Sequence, residues 1–316
     1  VQSMPDVSPT KWHLAHTTWF FEEFVLSEVP EYRYFDERWR FLFNSYYQSV
    51  GPMHARVDRG LLSRPTLAEV LAYRSCVDEF MIDLLARDPG PAALARTELG
   101  LNHEQQHQEL LLTDIKHVLS CNPLEPAYRS DLRAVTRPAP PQQFLPGTSG
   151  MVESGADPGD RFVFDCETPR HRSYAYPHAL ARRPVTCGEY REFLRQGGYR
   201  DPAVWLSDGW SAVQSQGWTG PLYWDAHGET EFTLGGRREI DPEAPVCHVS
   251  YFEADAFAAS QASAPHLVSA LVKLYEDNAA TLTPDPLHSA FYDSHPPAAQ
   301  RIGRLNRLGA RHAHAV

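Results

Sequence analysis

The run His103-Glu104-Gln105-Gln106-His107 places two imidazoles four positions apart inside a leucine-rich helical segment. Residues so spaced on an α-helix sit one turn above each other, so both rings present to one point. Two chemistries use that arrangement. Read as H-E-x-x-H, the histidines hold zinc and Glu104 is a general base for peptide hydrolysis. Read as two members of a facial triad with open coordination positions, they suit oxygen-using non-haem iron. The third ligand decides between the two.

The elements around the pair are helical. Ser8-Pro9 reads as a helix start, a capping hydroxyl followed by proline at the first helical position, and Trp12, Leu14, Trp19, Phe20, Phe24 and Leu26 make the segment to about Ser27 a buried helix. His13 and His16 lie three apart within it, either as core and surface histidines or as ligands facing the interior. Thr66-Leu67-Ala68-Glu69 is a capping box opening a helix to about Arg87, with Leu67, Val70, Leu71, Val77, Phe80, Met81, Leu84 and Leu85 on one apolar face. Asp88-Pro89-Gly90-Pro91 ends it, and a helix of roughly 28 residues then carries the His pair through to Leu119. Three such helices, with a fourth lost or displaced at the N-terminus, predict an antiparallel bundle with inward-facing ligands. Between the first two, residues 30 to 65 read as an irregular loop carrying Arg56, Arg59 and Arg64, either solvated or placed to receive a carboxylate.

The composition changes at Cys121. Six prolines between Cys121 and Gly147 make a stiff connection. Beyond it, short strand-like runs (Arg161-Phe162-Val163-Phe164, Ser173-Tyr174-Ala175-Tyr176, Phe232-Thr233-Leu234), one short helix from Cys187 to Gln196 and the tryptophans Trp205, Trp210, Trp218 and Trp224 predict a loop-rich α+β domain. Two further helices are expected over Ala264 to Ala280 and Pro297 to Leu308.

Bulk properties narrow the partners. A net charge of -11 over 316 residues argues against nucleic acid or an anionic membrane and for a small polar substrate. No run approaches the roughly 18 apolar residues of a membrane span, and the N-terminus lacks a signal-peptide shape. Five widely spaced cysteines suggest neither a disulfide framework nor a zinc knuckle. The chain reads as cytoplasmic, and its first residue, Val1, as that of a fragment of a longer protein.

Several blocks, in order, carry a resemblance: Ser8-Pro9-Thr10-Lys11-Trp12-His13-Leu14-Ala15-His16, Phe43-Asn44-Ser45-Tyr46-Tyr47, Arg59-Gly60-Leu61-Leu62-Ser63-Arg64-Pro65, the run from His103 to Glu109, Arg183-Pro184-Val185-Thr186, Trp205-Leu206-Ser207-Asp208-Gly209-Trp210 and Pro245-Val246-Cys247-His248-Val249-Ser250. Through these, residues 1 to about 258 resemble the ergothioneine-biosynthesis sulfoxide synthases, iron(II) enzymes that join a DinB-like helical bundle to a formylglycine-generating-enzyme-like domain of C-type-lectin-like fold. The resemblance implies an α+β chain with a DinB-like bundle over 1–122, a Pro-rich linker over 123–143, a truncated second domain over 144–258 and a short helical tail over 259–316. It implies iron(II) held by His16, His103 and His107, Gln106 touching the imidazole of hercynine, and Arg59 and Arg56 holding the carboxylates of cysteine or γ-glutamylcysteine. Dioxygen then couples the thiol sulfur to the imidazole carbon as a sulfoxide. A selenium-transferring relative shares the same blocks.

The second half of that second domain, with the family's active-site tyrosine, is missing, so no catalytic residue is implied beyond the ligands and a non-catalytic metal-binding remnant is the alternative. Truncation would also leave several of the four tryptophans without a partner layer. From about 251 to 310 the chain instead resembles the C-terminus of Ste24-type zinc endopeptidases, through Phe252-Glu253-Ala254-Asp255-Ala256-Phe257-Ala258, Leu267 to Asn278 and Tyr292-Asp293-Ser294-His295-Pro296-Pro297. There the residue matching Glu253 is a zinc ligand, which defines a less favoured peptidase reading. With His16 available, Glu253 is expected to be a solvent-facing helical acid.

Overall fold

The computed structural model describes residues 1–132, 137–157, 159 and 162–261. The two helices expected beyond 262 lie outside the described residues. The chain is α+β, and its described residues divide into two compact units, one of 1–132, 147–178 and 234–236, the other of 137–146, 179–233 and 237–261.

The first unit is built on α1 (Thr10–Phe24), which is buried on nearly every side. Trp12, Ala15, Trp19 and Phe20 form its core with Tyr32, Trp39, Phe43, Val70, Tyr73, Val77 and Met81. Both α3 (Leu67–Ala86) and α4 (Pro91–Ser120) pack against α1. Gly100 makes the second contact close: a Cβ there would stand 2.6 Å from the Phe21 ring. The absent side chain lets α4 approach α1 one turn before His103. Glu22 of α1, fully buried, accepts hydrogen bonds from the Tyr32 and Tyr73 hydroxyls and the Phe35 backbone N–H, tying α1 to α3 and to the segment after α1.

The capping box of α3 forms as expected, the Thr66 hydroxyl accepting from the Glu69 N–H. Its apolar face is narrower than the sequence suggests. Val70, Tyr73, Val77 and Met81 are buried, whereas Leu67, Leu71, Phe80 and Leu85 are exposed. The start of α1 is also shifted by one residue: Pro9 occupies the N-cap, no side chain caps it, and the Ser8 hydroxyl is taken by Arg59. The expected loop of residues 30–65 contains a short helix, α2 (Trp39–Phe43). Lys11 pins this segment to α1 by donating to the Leu62 and Pro65 carbonyls.

Short antiparallel ribbons follow. Strand β1 (Phe144–Pro146) pairs with β4 (Ala179–Ala181), and β2 (Gly150–Ser154) with β3 (His171–Ala175) in the register Gly150↔Ala175. Residues 162–164, expected as a strand, are not one; a single 3₁₀ turn, Asp165–Glu167, follows them. In the second unit, α5 (Cys187–Arg195), α6 (Ser207–Gln216) and α7 (Tyr251–Gln261) enclose a core of Tyr190, Phe193, Tyr199, Trp205, Val213 and Ala256. Strands β5 (Thr230–Thr233) and β6 (Gly236–Glu239) form a hairpin.

The tryptophans are not left bare. Trp205 is buried and donates its indole N–H to the Gly198 carbonyl, while Trp210, Trp218 and Trp224 pack on the same core. Helix α7 supplies the partner layer that truncation seemed to remove, with Phe257 stacked on Tyr190.

Helix α5 opens with a second capping box, Thr186 and Glu189, whose carboxylate also takes a bidentate contact from Arg183 at 2.8 and 2.7 Å. The Arg183 hydrogen bonds, with the Thr186 backbone N–H, hold the Glu189 carboxyl down at about 2 against an ordinary 4.5. A depressed carboxyl stabilises the fold above its unfolded value and loses that contribution as pH falls through the folded one. The acid limb of unfolding between pH 4.5 and 2 is therefore expected to flatten in Glu189→Gln, as measured by urea titrations at stepped pH. An unchanged limb would remove Glu189 from the account.

Candidate metal centre

The buried face of α1 and the adjoining face of α4 bring three imidazoles together. His16, His103 and His107 have candidate ligand nitrogens all within 4.8 Å of one another, and they form the only such group among the described residues. Ring centroids stand 4.5 Å apart for His103 and His107, 5.0 Å for His16 and His103, and 4.8 Å for His16 and His107.

Each ring is held differently. His16 is stacked between the indoles of Trp12 and Trp19, and its Nδ1 lies 2.7 Å from the Phe43 carbonyl at the end of α2. That carbonyl is placed by its neighbour: the Asn44 amide donates to the Tyr47 and Gly51 carbonyls, folding the following loop back on itself. His107 Nδ1 lies 2.9 Å from Nδ1 of His13, whose Nε2 is in turn 2.9 Å from Asp114 Oδ2. His103 Nδ1 is buried without a hydrogen-bond partner.

Burial keeps the cluster neutral. Desolvation pushes His103 down to about 4, and desolvation together with the neighbouring His103, His13 and Arg59 pushes His107 down to about 3. His16 lies well below the ordinary imidazole range, first through burial and then through His107 and His103. At neutral pH all three rings carry a free lone pair, the form in which histidine binds metal. An all-imidazole donor set suits iron or zinc rather than magnesium or calcium. The orphaned nitrogen of His103 and the committed Nδ1 atoms of the other two fit an ion at this point.

A cation sits beside the cluster. Arg59 is buried, with its guanidinium carbon 3.4 Å above the Trp12 ring and its nitrogens donating to the Ser8 and Ser45 hydroxyls. It makes no ion pair among the described residues, and its Nε is buried and unpartnered. Burial, then Arg56, lowers it to about 10. Arg56 is exposed, donating to the Tyr46 hydroxyl and the Asp6 carbonyl. Arg64 is also exposed, and Gln106 lies on an exposed face of α4.

The residues of the peptidase reading are engaged elsewhere. Glu104 pairs with Arg74 of α3. Glu253 is not the solvent-facing acid expected: it is buried, accepting from the Ser250 backbone N–H at 2.7 Å and from the Tyr199 hydroxyl. It is the third residue of a cap on α7, a role that Ser250, three positions earlier, signals in the sequence. Sequence reasoning also passed over Asp114, although it lies seven residues after His107, on the same stripe of α4.

Residues 131–276 match the Sulfatase-modifying factor enzyme 1-like domain. A hercynine oxygenase of Mycolicibacterium thermoresistibile is 31% identical over 263 residues, 81% of this chain and 56% of that protein. One of Mycolicibacterium smegmatis is 30% identical over 211 residues, 65% of this chain and 47% of that protein. The chain thus spans about half the length of these curated relatives. A CAAX prenyl protease 1 homolog of Oryza sativa subsp. japonica is 48% identical over 54 residues, 17% of this chain and 13% of that protein. No helix among the described residues is long and apolar enough to cross a membrane. By these likenesses the chain is similar to hercynine oxygenases over most of its length and to a CAAX prenyl protease 1 homolog over a short segment.

Proposed function

We propose that this chain is a mononuclear iron(II), dioxygen-dependent sulfoxide synthase acting on hercynine and a thiol, cysteine or γ-glutamylcysteine, in ergothioneine biosynthesis. The observation that carries it is the convergence of three neutral imidazoles from α1 and α4 on one point, next to a buried guanidinium that makes no ion pair among the described residues. In this reading His16, His103 and His107 hold the ion, residues 1–122 form the metal-bearing bundle, 123–143 a linker, 144–258 the partial second domain and 259–316 the tail. The free thiols of all described cysteines fit a reducing, cytoplasmic setting.

The residues divide the remaining work. Bound at the triad, iron(II) supplies the redox chemistry with dioxygen that side chains lack. Arg59 and Arg56 take the substrate carboxylates, the first from a dry, preorganised position in which a charge-assisted pair is strong. Gln106, one residue before His107, hydrogen-bonds the hercynine imidazole. The overall change balances as thiol S–H plus imidazole C–H plus O2 giving the C–S sulfoxide and water.

The test is turnover by the purified full chain with iron(II), hercynine and each thiol in air, read by mass spectrometry of the sulfoxide. Arg59→Met is expected to raise KM for the thiol about 10- to 100-fold while hercynine KM moves little. Metal loading without any sulfoxide would establish a non-catalytic metal-binding chain instead. Product only with a selenium donor would assign the seleno-analogue.

A further inference from the structure

We propose that His13 and Asp114 are positioning residues that set the tautomer of His107, turning its bare Nε2 towards the ion. The inference rests on the metal-site reading above. It follows from the direction that each hydrogen bond must take. Asp114 Oδ2 accepts the Ser8 backbone N–H at 2.8 Å and stands 2.9 Å from His13 Nε2. A carboxylate only accepts, so the hydrogen of that second contact lies on His13 Nε2. We take His13 with a single ring hydrogen, the one on Nε2, so that its Nδ1 is bare where it stands 2.9 Å from Nδ1 of His107. Two bare nitrogens do not bond, so His107 is the donor and carries its hydrogen on Nδ1. Its Nε2 is left with the lone pair that a divalent ion takes.

The three rings are therefore not equivalent. His16 reaches the same tautomer by a direct route, donating Nδ1–H to the Phe43 carbonyl. His107 reaches it through two intervening groups that join α4 to α1 and end on the backbone just before α1. His103 has a buried Nδ1 without a partner and is free to choose. Two of the three ligands are prepared before an ion arrives. Removing the acceptor from His107 would let the hydrogen move to Nε2, where it blocks coordination. Groups that orient a ligand in this way are worth about 10- to 100-fold in metal affinity.

The experiment uses the full chain with cobalt(II) as an optical probe and, separately, imidazole 15N NMR of the metal-free protein, which reports tautomers directly. In the wild type His107 and His16 are expected to carry hydrogen on Nδ1. His13→Leu should weaken cobalt binding about 10- to 100-fold and abolish the Nδ1–H signature of His107 alone. His13→Gln, whose carbonyl can still accept from His107, should restore most of both. Asp114→Leu should shift the His13 and His107 signatures while leaving His16 unchanged. Folded His13→Leu with cobalt affinity within about twofold of wild type and an unaltered His107 signature would overturn the proposal. Should that variant not fold, wild-type His107 found with hydrogen on Nε2 overturns it equally. Failure of the metal reading looks different: no variant, and not the wild type, would bind cobalt, whatever the tautomers.

Discussion

Replacing His103 by alanine is expected to lower divalent-metal affinity on the order of 10³-fold, measured by calorimetry or cobalt absorbance. The ion would lose one of three imidazoles, and no described carboxylate or thiol joins the group to replace it. The magnitude follows from the state of the rings. All three are neutral in the fold, so binding displaces no proton at neutral pH, and each ligand contributes nearly its full bond strength. The same measurement separates the two readings of the H-E-x-x-H run. Glu104→Gln and Glu253→Gln should bind metal like the wild type, because one carboxylate is spent on Arg74 and the other on Ser250 and Tyr199. Undiminished affinity in His103→Ala would remove the His103/His107 pair from both readings, and collapse in Glu253→Gln would return the site to peptidase chemistry.

The largest loss of stability is expected from Glu22→Leu, roughly 4 kcal/mol by urea unfolding. The carboxylate is fully buried and takes three donors: two phenols and one backbone N–H. Leucine strands all three without water, at about 1–3 kcal/mol each, offset in part by its own burial. The phenols register the same contact, since burial and the adjoining carboxylate push Tyr32 and Tyr73 upward. Adding Tyr32→Phe and Tyr73→Phe should recover part of the loss by deleting two of the stranded hydroxyls. If the triple variant is as unstable as the sum of its parts, the three groups do not act as one node.

What the sequence disclosed follows the range of the interactions. Local signals read well: the Thr66/Glu69 box, the Asp88 to Pro91 break and the i, i+4 histidines all act within one helical turn or two, and the structure has each of them. The third imidazole did not read from spacing, because His13 and His16 are equally plausible three residues apart. Packing decides between them: His16 is sandwiched by Trp12 and Trp19 and joins the cluster, while His13 stands behind His107. The resemblance to the sulfoxide synthases supplied what spacing left open. Errors fell where a distant group outbid a local one. Ser8 looked like a cap, but its hydroxyl serves the buried Arg59 from across the unit. Glu253 looked solvated, but Tyr199, more than fifty residues away in the chain, encloses it. The tryptophans looked stranded, but Trp205 is buried and the other three pack on a core to which α7 contributes Ala256.

The helix that donates His16 is also the one on which the surrounding core is assembled. Ion binding at the proposed centre would consequently be linked to the folding of this unit: a ligand held only by the native form raises its unfolding free energy by RT ln(1 + [L]/Kd). Midpoints of thermal melts across a series of divalent salts would rank those ions by preference, without substrate, turnover or a chromophore.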